Sequence, residues 1–137
     1  MARGRRAATG WIRAAGQRTD RIAARLASEV LRPLAGTSRL VLALDDTPTV
    51  RHGRHVQGAG IHHNPTPGPV GGRFVYGHVW VVLGMLVAHP LWGVIALPLL
   101  ARLYVRKTDL AAIDPRHRPA FATKLELAVE LVRWAKG

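Results

Sequence analysis

The sequence predicts an α/β domain in which helices precede and follow a small group of apolar strands. Apolar residues recur at spacing four over 19–34, the period of one helix face. Runs rich in Leu, Val and Ile, bounded by turn residues, follow at about 40–45, 74–88 and 92–104 and are typical of strands. A second helical period occupies about 119–135.

The first helix is predicted to begin at Thr19 or Asp20, because either side chain can accept a hydrogen bond from the first turn. Pro33 helps to end it, since proline cannot continue a helix's hydrogen bonds. The apolar stripe consists of Ile22, Leu26, Val30 and Leu34.

Two adjacent aspartates follow the first predicted strand, in the stretch LVLALDDTPTVRHGRH at 40–55. The flanking turn residues favour a buried strand over about 40–45 that ends at this acidic pair. Residues 47–72 are rich in Gly, Pro and His, and we predict a long loop there. The pair is therefore either a binding site or a solvated strand end.

The segment 74–104 is apolar enough to pass for a membrane span, because no charge lies between Arg73 and Arg102. Its internal prolines and glycines, and the turn signal HPLWG, oppose one continuous helix. We predict two long neighbouring strands, both mostly buried. A small membrane protein spanning 79–103 is the alternative.

The second helix is predicted to pack on the sheet through one apolar stripe, with Glu126 and Glu130 on its solvated face. The predicted stripe consists of Phe121, Leu125, Ala128, Val132 and Ala135, broadened by Leu131 and Trp134.

The charge balance points to a polyanionic partner. Twenty Lys and Arg against 8 Asp and Glu give a net charge of +12, and seventeen of the basic residues are arginine. Guanidinium groups suit bidentate phosphate contacts, so this surplus favours nucleic acid over an anionic membrane surface. The absence of cysteine excludes disulfides, thiolate metal sites and cysteine nucleophiles. Neither a Gly-x-Ser-x-Gly hydrolase motif nor a phosphate-binding Gly-Lys-Ser/Thr loop occurs.

The string LVLALDDTPTVRHGRHVQGAGIHHNP, followed by FVYGHVWVVLGMLV and IALPLLARLYV, resembles the front half of DDE-type insertion-sequence transposases. The shared motif is a strand that ends in Asp-Asp-Thr, followed by a basic loop with Gly-Arg. RRAATGWIRAAG near the start is similar to a segment that such transposases carry upstream. The resemblance covers about 38–136. It implies a basic segment with one helix over 1–36 and a partial ribonuclease-H-like domain over 37–137.

The resemblance implies metal-dependent DNA cleavage and strand transfer, with Mg²⁺ or Mn²⁺ held by carboxylates and no small-molecule cofactor. Asp45 and Asp46 are the candidate catalytic and metal-binding residues. Adjacent strand residues point to opposite faces, so periodicity does not decide between them, and we favour Asp46. The alternative is that both cap a turn at Thr47 and Pro48.

The second catalytic Asp and the Glu of the family have no counterpart, because the other acids of the second half precede or lie on the second helix. These acids are Asp109, Asp114, Glu126 and Glu130. We therefore expect a transposase fragment that is inactive alone, in the cytoplasm and at the nucleoid when DNA-bound. A non-catalytic DNA-binding module or transposition regulator is the alternative.

Candidate DNA contacts are Arg51, Arg54, His55 and Arg73, because they lie in or beside the basic loop. For any single arginine the alternative is a solvated cationic loop. The first strand would be an open sheet edge without the family's later strands, so we expect self-association or pairing with a full-length transposase.

Two further groups of side chains are predicted to be structural. The loop histidines could bind zinc by composition, but no carboxylate or thiolate lies at a strong spacing from them. These histidines are His52, His55, His62 and His63. Tyr76, Trp80 and Trp92 are expected in the core or on a sheet face rather than as base-stacking platforms.

Overall fold

The computed structural model describes residues 18–35, 39–53, 55–67 and 71–136. They form a mixed α/β structure with two helices and an open antiparallel sheet of four strands. Helix α1 begins as Thr19–Leu26, continues through a π-helical turn (Ala27–Leu31) and ends with Arg32–Ala35. The remaining elements are β1 (Val41–Val50), β2 (Gly60–His63), β3 (Phe74–His89), β4 (Gly93–Tyr104) and α2 (Lys124–Lys136).

Strand β3 is the centre of the sheet, since it pairs with each of the other three strands. The short strand β2 runs antiparallel to the start of β3, with Gly60 opposite Gly77 and His63 opposite Phe74. Strand β1 pairs with β3 and is the end of the strand order β1-β3-β2.

The chain divides into two compact units. One contains α1, the start of β1 and Gly84–Leu100, the outer part of the β3–β4 hairpin. At its turn the ring nitrogen Nδ1 of His89 accepts hydrogen bonds from the backbone N–H groups of Leu91 (3.2 Å) and Trp92 (3.3 Å). Gly93, with φ +72°, adopts the left-handed conformation that starts the return strand.

The second unit contains Leu44–Leu83 and the residues from Ala101 onward, and it holds the acidic pair, β2 and α2. Its buried apolar side chains come from β3, from the segments after β4 and from α2. They are Val79, Val81, Leu83, Val105, Ile113, Leu127 and Leu131.

The prediction that the first strand ends at the acidic pair is wrong, because β1 continues to Val50. Beyond the pair, the N–H of Arg51 donates to the carbonyl of Tyr76 (3.0 Å) and the hydroxyl of Thr49 to that of His78 (3.4 Å). These bonds to β3 extend the pairing through residues that we expected in a loop. The predicted loop over 47–72 therefore contains the end of β1 and all of β2.

The first helix and the two long strands form where they were predicted. The predicted cap is wrong, because Arg18 is the N-cap residue and no side-chain hydrogen bond caps the helix. The predicted burial is wrong for β1, which has no buried residue, and for β4, which buries only Leu100.

Helix α2 also differs from its prediction. It begins at Lys124 rather than near Pro119, because Thr123 and Glu126 form a capping box. The N–H and hydroxyl of Thr123 donate to Glu126 Oε2 (2.7 and 2.8 Å), and the Glu126 N–H donates to Thr123 Oγ1 (3.2 Å).

The predicted inner stripe of α2 is wrong at its first two residues and is confirmed at Leu131, which was expected to broaden it. The helix buries Leu127 and Leu131, whereas Leu125 is 79% exposed and Phe121 lies before the helix. The helix carries apolar residues on more than one stripe, and the chosen repeat began at a residue outside it. Spacing alone could not tell which stripe faces the sheet.

In the described ranges no helix is long and apolar enough to cross a membrane. Residues 79–103 instead form most of β3, a turn and most of β4.

Replacing Leu131 tests the observed packing of α2. Its side chain is 0% exposed, so Leu131→Ala should lower the free energy of unfolding by about 2–5 kcal/mol. The matched control on the same helix is Leu125→Ala, which should change it by less than about 0.5 kcal/mol because Leu125 is exposed. Urea unfolding followed by circular dichroism measures both, and equal losses would contradict this orientation of the helix.

Candidate functional site

The acidic pair lies inside β1, with its two carboxylates on opposite faces of the strand. Asp45 is exposed, and its Oδ1 accepts a hydrogen bond from the N–H of Asp46 (2.8 Å). Thr47 and Pro48 continue the strand, so the turn that the pair was predicted to cap as an alternative does not form. Each face of β1 therefore receives one carboxylate.

Asp46 is paired with a lysine from the far end of the chain. Lys124, the first residue of α2, donates from Nζ to Asp46 Oδ2. The same ammonium lies 5.6 Å from the centre of the Tyr104 ring. No local sequence pattern indicates this partner, because the two residues are 78 positions apart.

A second ion pair holds β2 against the segment that follows β4. Arg106 donates to Asp109 from Nε (2.7 Å) and from an Nη atom (2.9 Å), and its other Nη donates to the Ile61 carbonyl (2.8 Å). The hydrogen bonds from Arg106 are the main reason that the pKa of Asp109 is lowered. The same bonds raise the pKa of Arg106.

Gly60 allows this close approach. A Cβ atom there would overlap the Asp109 carboxylate and come within 3.1 Å of the Arg106 guanidinium. Both ionic partners lie within three positions in the string RKTD, which was a signal of their pairing. No pattern in the nearby sequence predicted that this ion pair contacts β2.

Among the described residues, His62 is the one buried polar or charged side chain. It is 8% exposed, and its Nε2 has no hydrogen-bond partner among the described residues. Burial is the main cause of its lowered pKa, and the charges of Arg106 and Lys124 lower it further. Asp109 and the Gly77 backbone oppose the shift less strongly. These effects together favour the neutral form of the ring.

These groups surround a cavity of about 430 Å³. Basic, phenolic and imidazole side chains share its wall with one carboxylate and two apolar residues. The lining residues are Asp46, Ile61, His62, His63, Pro65, Tyr104, Arg106 and Lys124. The arrangement can donate several hydrogen bonds to an anion.

The acidic pair does not by itself fit a two-ion centre. Such a centre needs several carboxylates that converge on one point, whereas Asp45 and Asp46 diverge and Asp46 is bound by Lys124. Across the described ranges, no group of three or more His, Asp or Glu side chains could hold a metal ion.

The predicted DNA contacts lie in separate places. Arg51 is exposed at the end of β1, where Nε donates to His78 Nδ1 (3.1 Å) and Nη1 to the Val50 carbonyl (3.3 Å). His55 is exposed, and so is Arg73, whose guanidinium lies 6.0 Å from the centre of the Phe74 ring. Arg54 lies outside the described residues.

The expectation for the aromatic residues is met at two positions and wrong at the third. Tyr76 and Trp80 are half-buried on the sheet, and they donate to the Gly53 carbonyl and the Thr49 hydroxyl, both at 3.2 Å. Trp92 is 72% exposed in the hairpin turn, with its ring stacked on His89 at 4.3 Å. The apolar run around it did not distinguish a turn from a strand.

Compared with protein-family models, with curated proteins and with solved structures, the chain matches none.

The lowered pKa of His62 predicts how stability depends on pH. The unfolded chain takes up a proton near the ordinary value of 6.5, at a higher pH than the folded protein does. The contribution of neutral His62 is therefore complete above pH 6.5 and is lost as the pH falls toward its folded-state pKa.

His62→Gln should remove the loss of unfolding free energy that protonation of His62 causes as the pH falls. Urea unfolding at a series of pH values between about 8 and 5 measures it. The control for the removal of a histidine is His63→Gln at the exposed neighbouring position. An unchanged pH dependence in His62→Gln would contradict the assignment.

Proposed function

We propose that the chain belongs to the catalytic domain of a DDE-type transposase and carries its first catalytic carboxylate at Asp46, with Asp45 beside it. The observation that supports this is the position of the acidic pair. It lies inside the first of three long strands, β1, β3 and β4, of an antiparallel sheet with β3 in the middle, and α2 follows them in the chain. A ribonuclease-H-like transposase domain is expected to begin with three such strands and a helix.

We further propose that these 137 residues do not cleave DNA alone. In the second half of the chain, each of the other carboxylates already has a structural partner. Asp109 binds Arg106, Asp114 binds Arg116, Glu126 caps α2 with Thr123, and Glu130 binds Arg102 at 2.7 Å. A centre with Asp46 would need carboxylates from elsewhere, which would hold Mg²⁺ or Mn²⁺ with it.

DNA is the proposed partner, because the net charge of +12 favours a polyanion and Arg51 and Arg73 present exposed guanidinium groups. The proposed location is the cytoplasm, at the nucleoid. Strand β1 is the outermost strand of the described sheet on its side, and Val41 and Leu44 are exposed on it. This edge could pair with a second copy or with a full-length transposase.

The second candidate is a non-catalytic DNA-binding module or regulator. The Asp46–Lys124 ion pair favours this candidate, because Lys124 occupies the carboxylate that a metal ion would need as a ligand. The downstream genomic DNA separates the two. A frame that encodes a strand with Asp and later a Glu supports the transposase, and its absence together with DNA binding supports the module.

Duplex binding should depend steeply on salt if phosphate contacts dominate. Arg51→Gln with Arg73→Gln should reduce the slope of log K against log[salt] by about 0.9 for each phosphate that the variant no longer neutralises. The control is Arg116→Gln, an exposed arginine already paired with Asp114. Fluorescence anisotropy with a labelled duplex measures the slopes. Absent or salt-independent binding would rule out the DNA-binding module.

A nicking assay with Mg²⁺ or Mn²⁺ tests the incomplete centre. The chain should yield no specific cleavage product on supercoiled plasmid, because one carboxylate cannot organise two ions. Cleavage that disappears in the double variant Asp45→Ala, Asp46→Ala would show that the centre is complete after all.

A further inference from the structure

The cavity beside the first turn of α2 presents more hydrogen-bond donors than its own surroundings use. We propose that it binds a phosphate group, held by Tyr104, Arg106 and Lys124 with His62 in its wall. The inference rests on the proposed function only for the source of the phosphate, which would be a DNA strand.

Three side chains supply the unused donors. Arg106 has five N–H groups, of which two donate to Asp109 and one to Ile61, so two lack a protein partner in the described part of the chain. Lys124 uses one of its three N–H groups on Asp46. The hydroxyl of Tyr104 makes no hydrogen bond to the described residues, although its ring lines the same cavity.

His62 is an independent sign that the cavity accepts a ligand. Buried polar atoms in native proteins nearly always have a partner, and Nε2 of His62 has none in the described chain. The ring is 8% exposed, lies edge-on to Tyr104 at 6.2 Å and lines the cavity. A phosphate oxygen in the cavity would be a suitable partner when Nε2 carries the proton, because a ring N–H donates and a bare ring nitrogen only accepts.

The charges favour an anion over a metal ion. Among the described lining residues, Asp46 is the only carboxylate, and Lys124 already neutralises it. Arg106 and Lys124 repel a cation, whereas their remaining N–H groups suit the several oxygens of a phosphate. Because the two ion pairs balance each other, the attraction comes from directed hydrogen bonds rather than from a large net charge.

The size of the cavity favours a phosphate that is part of a larger molecule. Its volume of about 430 Å³ lies within the usual range of about 300–1,000 Å³ for small-ligand sites. Ile61 and Pro65 add an apolar wall, which can pack against the carbon atoms of a sugar. A terminal or internal phosphate of a DNA strand fits both features.

The test uses the full chain without divalent metal, in the presence of EDTA. Inorganic phosphate is titrated at constant ionic strength while NMR follows the imidazole signals of His62. A short oligonucleotide with a 5′-phosphate is then compared with the same oligonucleotide without it. We expect shifts at His62 and about tenfold tighter binding of the phosphorylated strand, the effect of two or so added hydrogen bonds.

Tyr104→Phe is the decisive variant, because it removes one donor and keeps the ring. It should weaken phosphate binding by about 2–10-fold, the range for one hydrogen bond. The matched control is Tyr76→Phe, which removes a hydroxyl that donates to Gly53 and does not line the cavity. This control should leave the affinity for phosphate unchanged.

Two outcomes distinguish the phosphate site from the proposed function. The phosphate site would be overturned if phosphate caused no shift at His62. It would also be overturned if the two oligonucleotides bound equally tightly and the two tyrosine variants had equal affinity for phosphate. Steep salt-dependent duplex binding would still support the DNA-binding proposal in either case. Phosphate binding at the cavity without oligonucleotide binding would support the site and overturn DNA as its source.

Discussion

The hydrogen bonds of the Arg106 guanidinium are the interaction on which the arrangement of the second unit depends. Its bidentate hydrogen bonds to Asp109 and its hydrogen bond to the Ile61 carbonyl hold the short strand β2 to the segment after β4. Gly60 permits this approach, because a Cβ atom at position 60 would overlap the Asp109 carboxylate and force it to move. The same guanidinium lowers the pKa of the neighbouring His62, after the larger effect of burial. Arg106 therefore contributes to both the structure and the electrostatics of the cavity.

The ion pair of Asp46 with Lys124 gives the acidic strand a structural role that does not depend on catalysis. A carboxylate on a half-exposed strand face is paired with an ammonium at the start of α2, and this contact helps to position the helix. The pair also places the proposed catalytic carboxylate at the wall of the cavity. A metal ion at Asp46 would have to compete with Lys124 for this carboxylate.

Much of the fold could be predicted from sequence because its signals are local. The spacing of apolar residues indicated the first helix, and the HPLWG turn between two apolar runs indicated the long hairpin. The errors arose where a distant partner decided the conformation. Strand β1 reaches Val50 beside β3, whose carbonyl groups accept from the Thr49 hydroxyl and the Arg51 N–H. In α2, packing chose Leu127 and Leu131 among several apolar stripes.

The candidate site shows the same division between local and distant causes. By itself the sequence determined the acidic pair, the basic surplus and the order of the elements, since composition and short-range periodicity record these directly. Only the tertiary structure decided that Asp46 meets Lys124, that Arg106 reaches β2 and that His62 is buried with a nitrogen unpaired among the described residues. Such contacts join residues tens of positions apart, and their energies depend on burial and geometry that no local pattern encodes.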